Sequence, residues 1–333
     1  MSKILFIGDP HLKITRLDLA QKFLSWVTGL IIELQPDMVV NLGDTFDTHA
    51  VVRSEILKLF KDHVIEVTGA GIPYEYILGN HDMFKPTDNK YHALQSFDIP
   101  GLRVIDTPTH DLSAGISYIP YIHDFSEFPL ETQPICIAHQ QFVGCDYGYY
   151  RPDVGTDADK VSANIIISGH IHKRQQFGKV IYPGTPFAQG VNDVNQEKGV
   201  MLFDTDTYAC VYHDTPLPNY RGLKFEMAPD FGVEDMHNCL FETLTPEDNW
   251  IVDMEGPQAE LTAYIGSKDL ARLREKSNIR IRTTWTNKSK NKVQIKATSM
   301  NDILDKYVDK VYDGSLDRGI IKDKILEILE KTQ

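Results

Sequence analysis

Five short patterns in this sequence gather residue types that hold divalent cations: Gly8-Asp9-Pro10-His11, Gly43-Asp44-Thr45-Phe46-Asp47, Gly79-Asn80-His81-Asp82, Ala138-His139-Gln140 and Gly169-His170-Ile171-His172. Their side chains offer carboxylate, imidazole and amide oxygen but no thiolate, a donor set that favours manganese, iron(II) or zinc over a soft metal. In Asp9-x-His11 and His170-x-His172, alternate residues of an extended chain point the same way, so each pair presents two donors to one side. The glycines before Asp44, Asn80 and His170 permit sharp turns and a close backbone approach. Each piece alone has an ordinary explanation: Asn80 could cap a turn, and His139 on an apolar run could be a satisfied core residue. All of them in succession point to metal-assisted hydrolysis.

The elements that must position these donors are short β-branched runs. Strands are expected over 4–7, 38–42, 76–78, 135–138 and 165–168, each followed at once by one of the patterns. Open α/β sheets bind ligands beyond the carboxyl ends of their strands, so loops spread over about 160 positions can converge. Leu19, Phe23, Trp26, Val27, Leu30 and Leu34 keep the helical period, with Thr15-x-x-Asp18 as a capping box and Gln35-Pro36 as the stop. A second helix is expected over 51–60, with Ile56, Leu57 and Phe60 facing inward. Short β runs at 180–182, 199–203 and 209–212 close an α/β domain. The two prolines of Thr215-Pro216-Leu217-Pro218-Asn219-Tyr220 mark a linker. Beyond it, strands are expected over 259–265 and 278–284 with a helix over 267–276, and a helical tail follows Met300.

The 333 residues allow an enzymatic domain plus a smaller one, and 42% hydrophobic with 24% charged residues is the balance of a soluble globular protein. The chain enters a strand-like run at once, and no apolar stretch approaches the roughly 18–20 residues that cross a bilayer. A cytoplasmic protein with no membrane partner is therefore expected. Cys136, Cys145, Cys210 and Cys239 are scattered, so reduced thiols are the expectation. A net charge of −13 argues against a nucleic-acid partner until its distribution is read. Residues 261–300 carry ten Lys/Arg against Asp269 and Glu275. Within this window Arg280, Arg282, Lys288, Lys290 and Lys292 are candidate phosphate contacts, the alternative being a solvated face.

In type and order the five patterns resemble the calcineurin-like metallophosphoesterase superfamily, over roughly residues 1–205. The resemblance implies an α/β layered metallophosphoesterase sandwich and two metal ions. Asp9, His11 and His172 would hold one ion, Asn80, His139 and His170 the other, with Asp44 between them. His81 would be the acid or transition-state contact, and Asp82 the group that orients it. Tyr182-Pro183-Gly184-Thr185-Pro186 and Glu197-Lys198-Gly199-Val200 look like a segment of SbcD-type DNA double-strand-break-repair nucleases, and the modest length resembles their bacteriophage members. That family implies manganese as cofactor, with magnesium also possible, and 3′→5′ exonuclease and endonuclease action on duplex DNA. It also implies a smaller α+β capping domain, a helical tail that binds an SbcC-type ABC-ATPase, and a homodimer formed through helices over 51–60 and 91–97. The boundaries expected are 1–215 for the nuclease domain, 221–296 for the capping domain and 300–333 for the tail. In the tail, Ile321, Ile325, Ile328 and Leu329 form an apolar stripe that either docks on the ATPase or packs on the second domain. Two positions depart from the family: Pro10 stiffens the Asp9–His11 turn, and Asp47 stands where some relatives carry a histidine, a role His49 is not expected to inherit. A small-molecule phosphodiesterase or phosphatase with the same metal site is the alternative, and it would not require residues 221–333.

Overall fold

In the first strand, Lys3–Ile7, Ile4 and Phe6 point to one side and Leu5 and Ile7 to the other, and all four are buried. A strand apolar on both sides has to be covered on both sides. The computed structural model that shows how describes residues 2–49, 51–148 and 150–286. Lys288, Lys290, Lys292, the tail over 300–333 and its Ile321, Ile325, Ile328 and Leu329 lie outside the described residues.

Lys3–Ile7 sits in a six-stranded sheet of spatial order Cys210–Asp214, Gly199–Asp204, Lys3–Ile7, Met38–Asn41, Tyr74–Ile77, Leu102–Ile105. Its last four strands run parallel. Leu5, Ile7 and Val39 face helices α1 (Leu17–Leu34) and α2 (Ser54–Gly69). Within α1, Phe23, Val27 and Ile31 are fully buried at four-residue spacing, each contributing about 1.5–3 kcal/mol. Ile4, Phe6 and Val40 face the second sheet and meet its Ile135, Ile137, Ile165 and Ile167. That sheet is ordered Gln175–Phe177, Val180–Tyr182, Ile165–Gly169, Ile135–His139, Ile116–Ile119, Thr109–Asp111. The layered α/β sandwich is therefore as expected, and no helix among the described residues is long and apolar enough to cross a membrane.

Local details differ from expectation. No side chain caps α1; a 3₁₀ turn over Ile14–Arg16 leads into it in place of a Thr15–Asp18 box. The second helix does not cover 51–60: Arg53 is extended, the helix starts at Ser54, and His63, Val64 and Val67 carry its buried stripe on to Gly69. Residues 91–97 are not helical either, since Asp88–His92 pairs with Met83–Lys85 as a hairpin and Ala93–Ser96 is a 3₁₀ turn.

After Pro218 the chain builds a three-stranded parallel sheet, Tyr220–Glu226, Asn249–Gly256, Asn278–Trp285, with α3 (Val233–Thr243), α4 (Gln258–Ile265) and α5 (Lys268–Lys276) on one face. The strand expected over 259–265 is thus the helix α4. Neighbouring parallel strands need a crossover connection, which helices supply, and α4 buries Leu261 and Tyr264 at helical spacing against Met236, Leu240 and Leu273. Burial of that stripe outweighs the strand preference of Thr262, Tyr264 and Ile265.

Candidate metal centre

Every expected donor lies at or just past the carboxyl end of a strand. Asp9 and His11 follow Lys3–Ile7, Asp44 follows Met38–Asn41, and Asn80 and His81 follow Tyr74–Ile77. His139 closes Ile135–His139, and His170 and His172 follow Ile165–Gly169. A hydrogen bond of 2.6 Å from His139 Nδ1–H to the Leu42 carbonyl ties the second sheet to the first. A carbonyl only accepts, so Nδ1 carries a proton and Nε2 is the nitrogen left to face the site.

Asp44 belongs to two groups of donors, one with His11 and His81 and one with His139 and His170, each within 4.8 Å. Asn80 Oδ1 joins the second group, 2.9 Å from His170 Nδ1 and 3.3 Å from His139 Nε2. His172 joins the first, its Nε2 lying 3.0 Å from His11 Nε2. Asp9 Oδ1 accepts from the His170 N–H at 2.8 Å, while its Oδ2 is buried with no hydrogen-bond partner among the described residues. An orphaned buried carboxylate oxygen is costly unless something cationic meets it. Together with the nitrogen and oxygen donors around Asp44, it fits a pair of divalent ions.

The backbone is strained at four of these residues: φ is +30° at Asp9, +42° at His11, +50° at Asp44 and +84° at His170. Such conformations cost a residue with a side chain about 1–3 kcal/mol each and persist only where surroundings enforce them. Here the His11 N–H donates to Asp44 O at 3.0 Å, the Asp44 N–H to Asp82 Oδ2 at 2.8 Å and the His81 N–H to Asp44 Oδ1 at 2.7 Å. Gly79 lets these loops close, because a Cβ there would overlap Asp44 Oδ1 and stand 2.7 Å from His139 Cε1.

Burial holds His170 at about 3 and His172 at about 4, and it lowers His11 as well. These imidazoles are therefore neutral, the form that binds a metal. Burial opposes protonation of His139 too, but the charges of Asp44 and Asp9 outweigh it and push the group up to about 9. Burial lifts Asp9 and Asp82 to about 7, with the negative charge of Asp44 adding to both. Asp44 itself stays far below the usual carboxylate range, since His139, His11 and His81 outweigh its burial. Bound dications would pull all of these groups toward charged carboxylates and neutral imidazoles.

The residues around His81 are arranged differently from the expectation. Among the described residues no hydrogen bond joins Asp82 to His81. Asp82 Oδ2 accepts from the Asp44 and Gly79 N–H groups, so it shapes the loop that carries Asp44. The group at His81 Nδ1 is the Asp47 carbonyl, 3.1 Å away, which places the proton on Nδ1. His49 stacks on the His81 ring with centroids 4.3 Å apart and 22° between planes, and its Nδ1–H donates to the Asn80 carbonyl at 2.7 Å. Sequence reasoning also passed over Tyr121, stacked on His170 at 5.6 Å, and Lys198, buried beneath His172. The Glu-Lys-Gly-Val segment was the one available signal for Lys198.

Of the candidate DNA contacts, Arg280 and Arg282 are exposed on the strand Asn278–Trp285 and are not part of this centre. Arg282 makes a bidentate ion pair with Asp253, at 2.6 and 2.7 Å.

Residues 2–174, which carry all five patterns, match the family model for calcineurin-like phosphoesterases. The chain belongs to that family. It is a metal-dependent phosphoesterase, and the family uses a dinuclear metal site. It is similar to exonuclease subunit 1 of Enterobacteria phage T4, 23% identical over 269 residues, covering 74% of this chain and 77% of that one. It is also similar to two proteins with phosphoesterase names. One is 244L of Invertebrate iridescent virus 6, at 27% identity over 60% of this chain and 75% of that one. The other is 078R of Invertebrate iridescent virus 3, at 24% over 55% and 56%.

Proposed function

We propose that the protein is a two-metal nuclease that hydrolyses phosphodiesters of duplex DNA, as a 3′→5′ exonuclease and an endonuclease. The observation that carries this reading is the pair of donor groups sharing Asp44, together with the exonuclease name of the phage T4 relative. In this reading Asp9, His11 and His172 would hold one ion, Asn80, His139 and His170 would hold the other, and Asp44 would serve both. Manganese is the ion proposed, magnesium the substitute. When bound, the pair supplies an activated water and offsets charge on the phosphoryl oxygens. With its Nδ1–H held by the Asp47 carbonyl, His81 is left with Nε2 for the substrate; when that nitrogen also carries a proton, it would pass it to the departing sugar oxygen and return to the neutral imidazole. Asp82 holds the Asp44 loop.

The relative's name as a subunit supports a partner, which we take to be an ABC-ATPase of the SbcC type. Arg280, Arg282, Lys288, Lys290 and Lys292 would contact DNA phosphates, and Ile321, Ile325, Ile328 and Leu329 would meet the ATPase. A second copy is favoured by Phe84 and Tyr91, which are 52% and 56% exposed yet line one cavity with Val52 and Leu57 beside the metal centre.

The deciding experiment is cleavage of end-labelled linear duplex DNA with manganese, with magnesium and with EDTA, beside a chromogenic phosphodiester. Manganese-dependent shortening is expected, and His81→Ser should retain metal while losing most of it. Hydrolysis of the ester without the DNA would replace this reading by the small-molecule phosphodiesterase that the two iridescent-virus relatives also allow. In that case activity should survive deletion of residues 221–333.

A further inference from the structure

Lys198 is almost fully buried, and its ammonium is surrounded by acceptors: Thr185 Oγ1 at 2.7 Å, Asp193 Oδ1 at 2.8 Å, Gln196 Oε1 at 3.0 Å and the His172 carbonyl at 3.0 Å. The Thr185 N–H donates to the same carbonyl at 3.0 Å. The backbone of His172 is thus clamped from below by the segment 185–198. Asp193 balances the buried ammonium and turns its other oxygen to the Gln189 and Gly190 N–H groups, at 2.7 and 3.0 Å. Gln189 in turn donates from Nε2 to the Pro10 carbonyl at 2.9 Å, between Asp9 and His11. One segment therefore grips both loops that carry Asp9, His11 and His172.

The same segment is attached to the three-stranded sheet. The Asn195 N–H donates to the Tyr220 carbonyl at 2.8 Å, and its Oδ1 accepts from the Gly222 N–H at 2.9 Å. Asn195 has φ +57°, a conformation that asparagine tolerates better than most residues. Gly222 leaves room for it, since a Cβ there would stand 3.3 Å from Asn195 Nδ2. Among the described residues, no hydrogen bond of segment 185–198 reaches Asn80, His139 or His170. Those three are held by one another, by Leu42, by His49 and by Asp9.

We infer that Lys198, Asp193 and Asn195 are positioning residues for only one of the two metal ions, and that they link that ion's ligands to the sheet containing Tyr220–Glu226. This rests on the assignment of Asp9, His11 and His172 to one ion. Partners that orient metal ligands typically change affinity about 10–100-fold when removed. A shift of the three-stranded sheet, as on binding DNA, would be felt at this ion and not at the other.

The test is manganese binding to the EDTA-stripped full chain, with free manganese counted by electron paramagnetic resonance. The wild type should bind two ions. Asn195→Ala should weaken one of them about tenfold and leave the other unchanged. Lys198→Met should weaken the same ion further. Asn195 is exposed, so its variant remains informative if Lys198→Met fails to fold. The affected ion is identified by pairing: Asn195→Ala should have no effect once His172→Ala has removed its ion, and full effect beside His139→Ala. Equal weakening of both ions, or of neither, overturns the inference while leaving the two-metal reading intact. A wild type that binds no manganese would sink the metal assignment, and the inference with it.

Discussion

Acid should loosen the loop that carries Asp44 through a histidine remote from the metal centre. His63 of α2 is buried between the two helices and the first sheet, and burial holds it at about 3. Its hydrogen bonds require the neutral form. Thr28 Oγ1 donates to Leu24 O at 2.7 Å, so at 2.6 Å it accepts from His63 Nδ1–H. Nε2 is then the acceptor for the Tyr74 hydroxyl at 3.3 Å. Tyr74 also receives Asn41 Nδ2 at 3.4 Å, and Asn41 bonds the Gly43 N–H and Thr45 on the Asp44 loop. A proton on Nε2 would leave the Tyr74 hydrogen without an acceptor among the described residues. Because the folded pKa lies below the unfolded value of about 6.5, the unfolded state takes the proton first as pH falls. The contribution is fully present above about pH 6.5 and is lost toward pH 3. At pH 5 the deficit is about 1.5 pKa units, or about 2 kcal/mol. The perturbation is His63→Gln, whose amide can donate to Thr28 and accept from Tyr74 but does not titrate. Urea unfolding with EDTA present, at about pH 7.5 and about pH 5, gives both free energies. Asp9 and Asp82 titrate in both proteins, so their effect cancels in the difference. The wild type should lose about 2 kcal/mol more than the variant; equal losses would refute a neutral buried His63.

Gly79→Ala should abolish metal binding and destabilise the protein by about 1–3 kcal/mol, measured by metal titration and melting, because its Cβ would overlap Asp44. A variant with full metal content would show that the loops have room to spare. Arg282→Ala should leave the melting temperature almost unchanged, since an exposed pair with Asp253 contributes about 0–1 kcal/mol. Joined with Arg280→Ala, it should lower the salt slope of DNA binding by about one per lost phosphate contact; an unaltered slope removes both from the interface. Phe84→Glu should convert a dimer to a monomer in light scattering with the ester-cleaving activity retained, and an unchanged mass would place the contact between copies elsewhere.

The candidate metal donors were readable as a list because ligation restricts residue type and because strand-end loops recur at short, recognisable patterns. Helix α1 was equally readable, its Phe23, Val27 and Ile31 repeating at the helical period. Helix α4 was not, because its residues suit a strand about as well as a helix, and the parallel pairing of Asn249–Gly256 with Asn278–Trp285 made the choice.

By itself, then, the sequence determined the family, the candidate donors and the alternation that layers two sheets beneath helices. Residue type and local period suffice for those. Only the tertiary structure decided that Asp82 shapes the Asp44 loop, that His49 lies against His81 and that Lys198 clamps His172. These are contacts across many residues of chain between groups with several possible partners. Burial of the whole sandwich selects among them, and no local pattern carries that information.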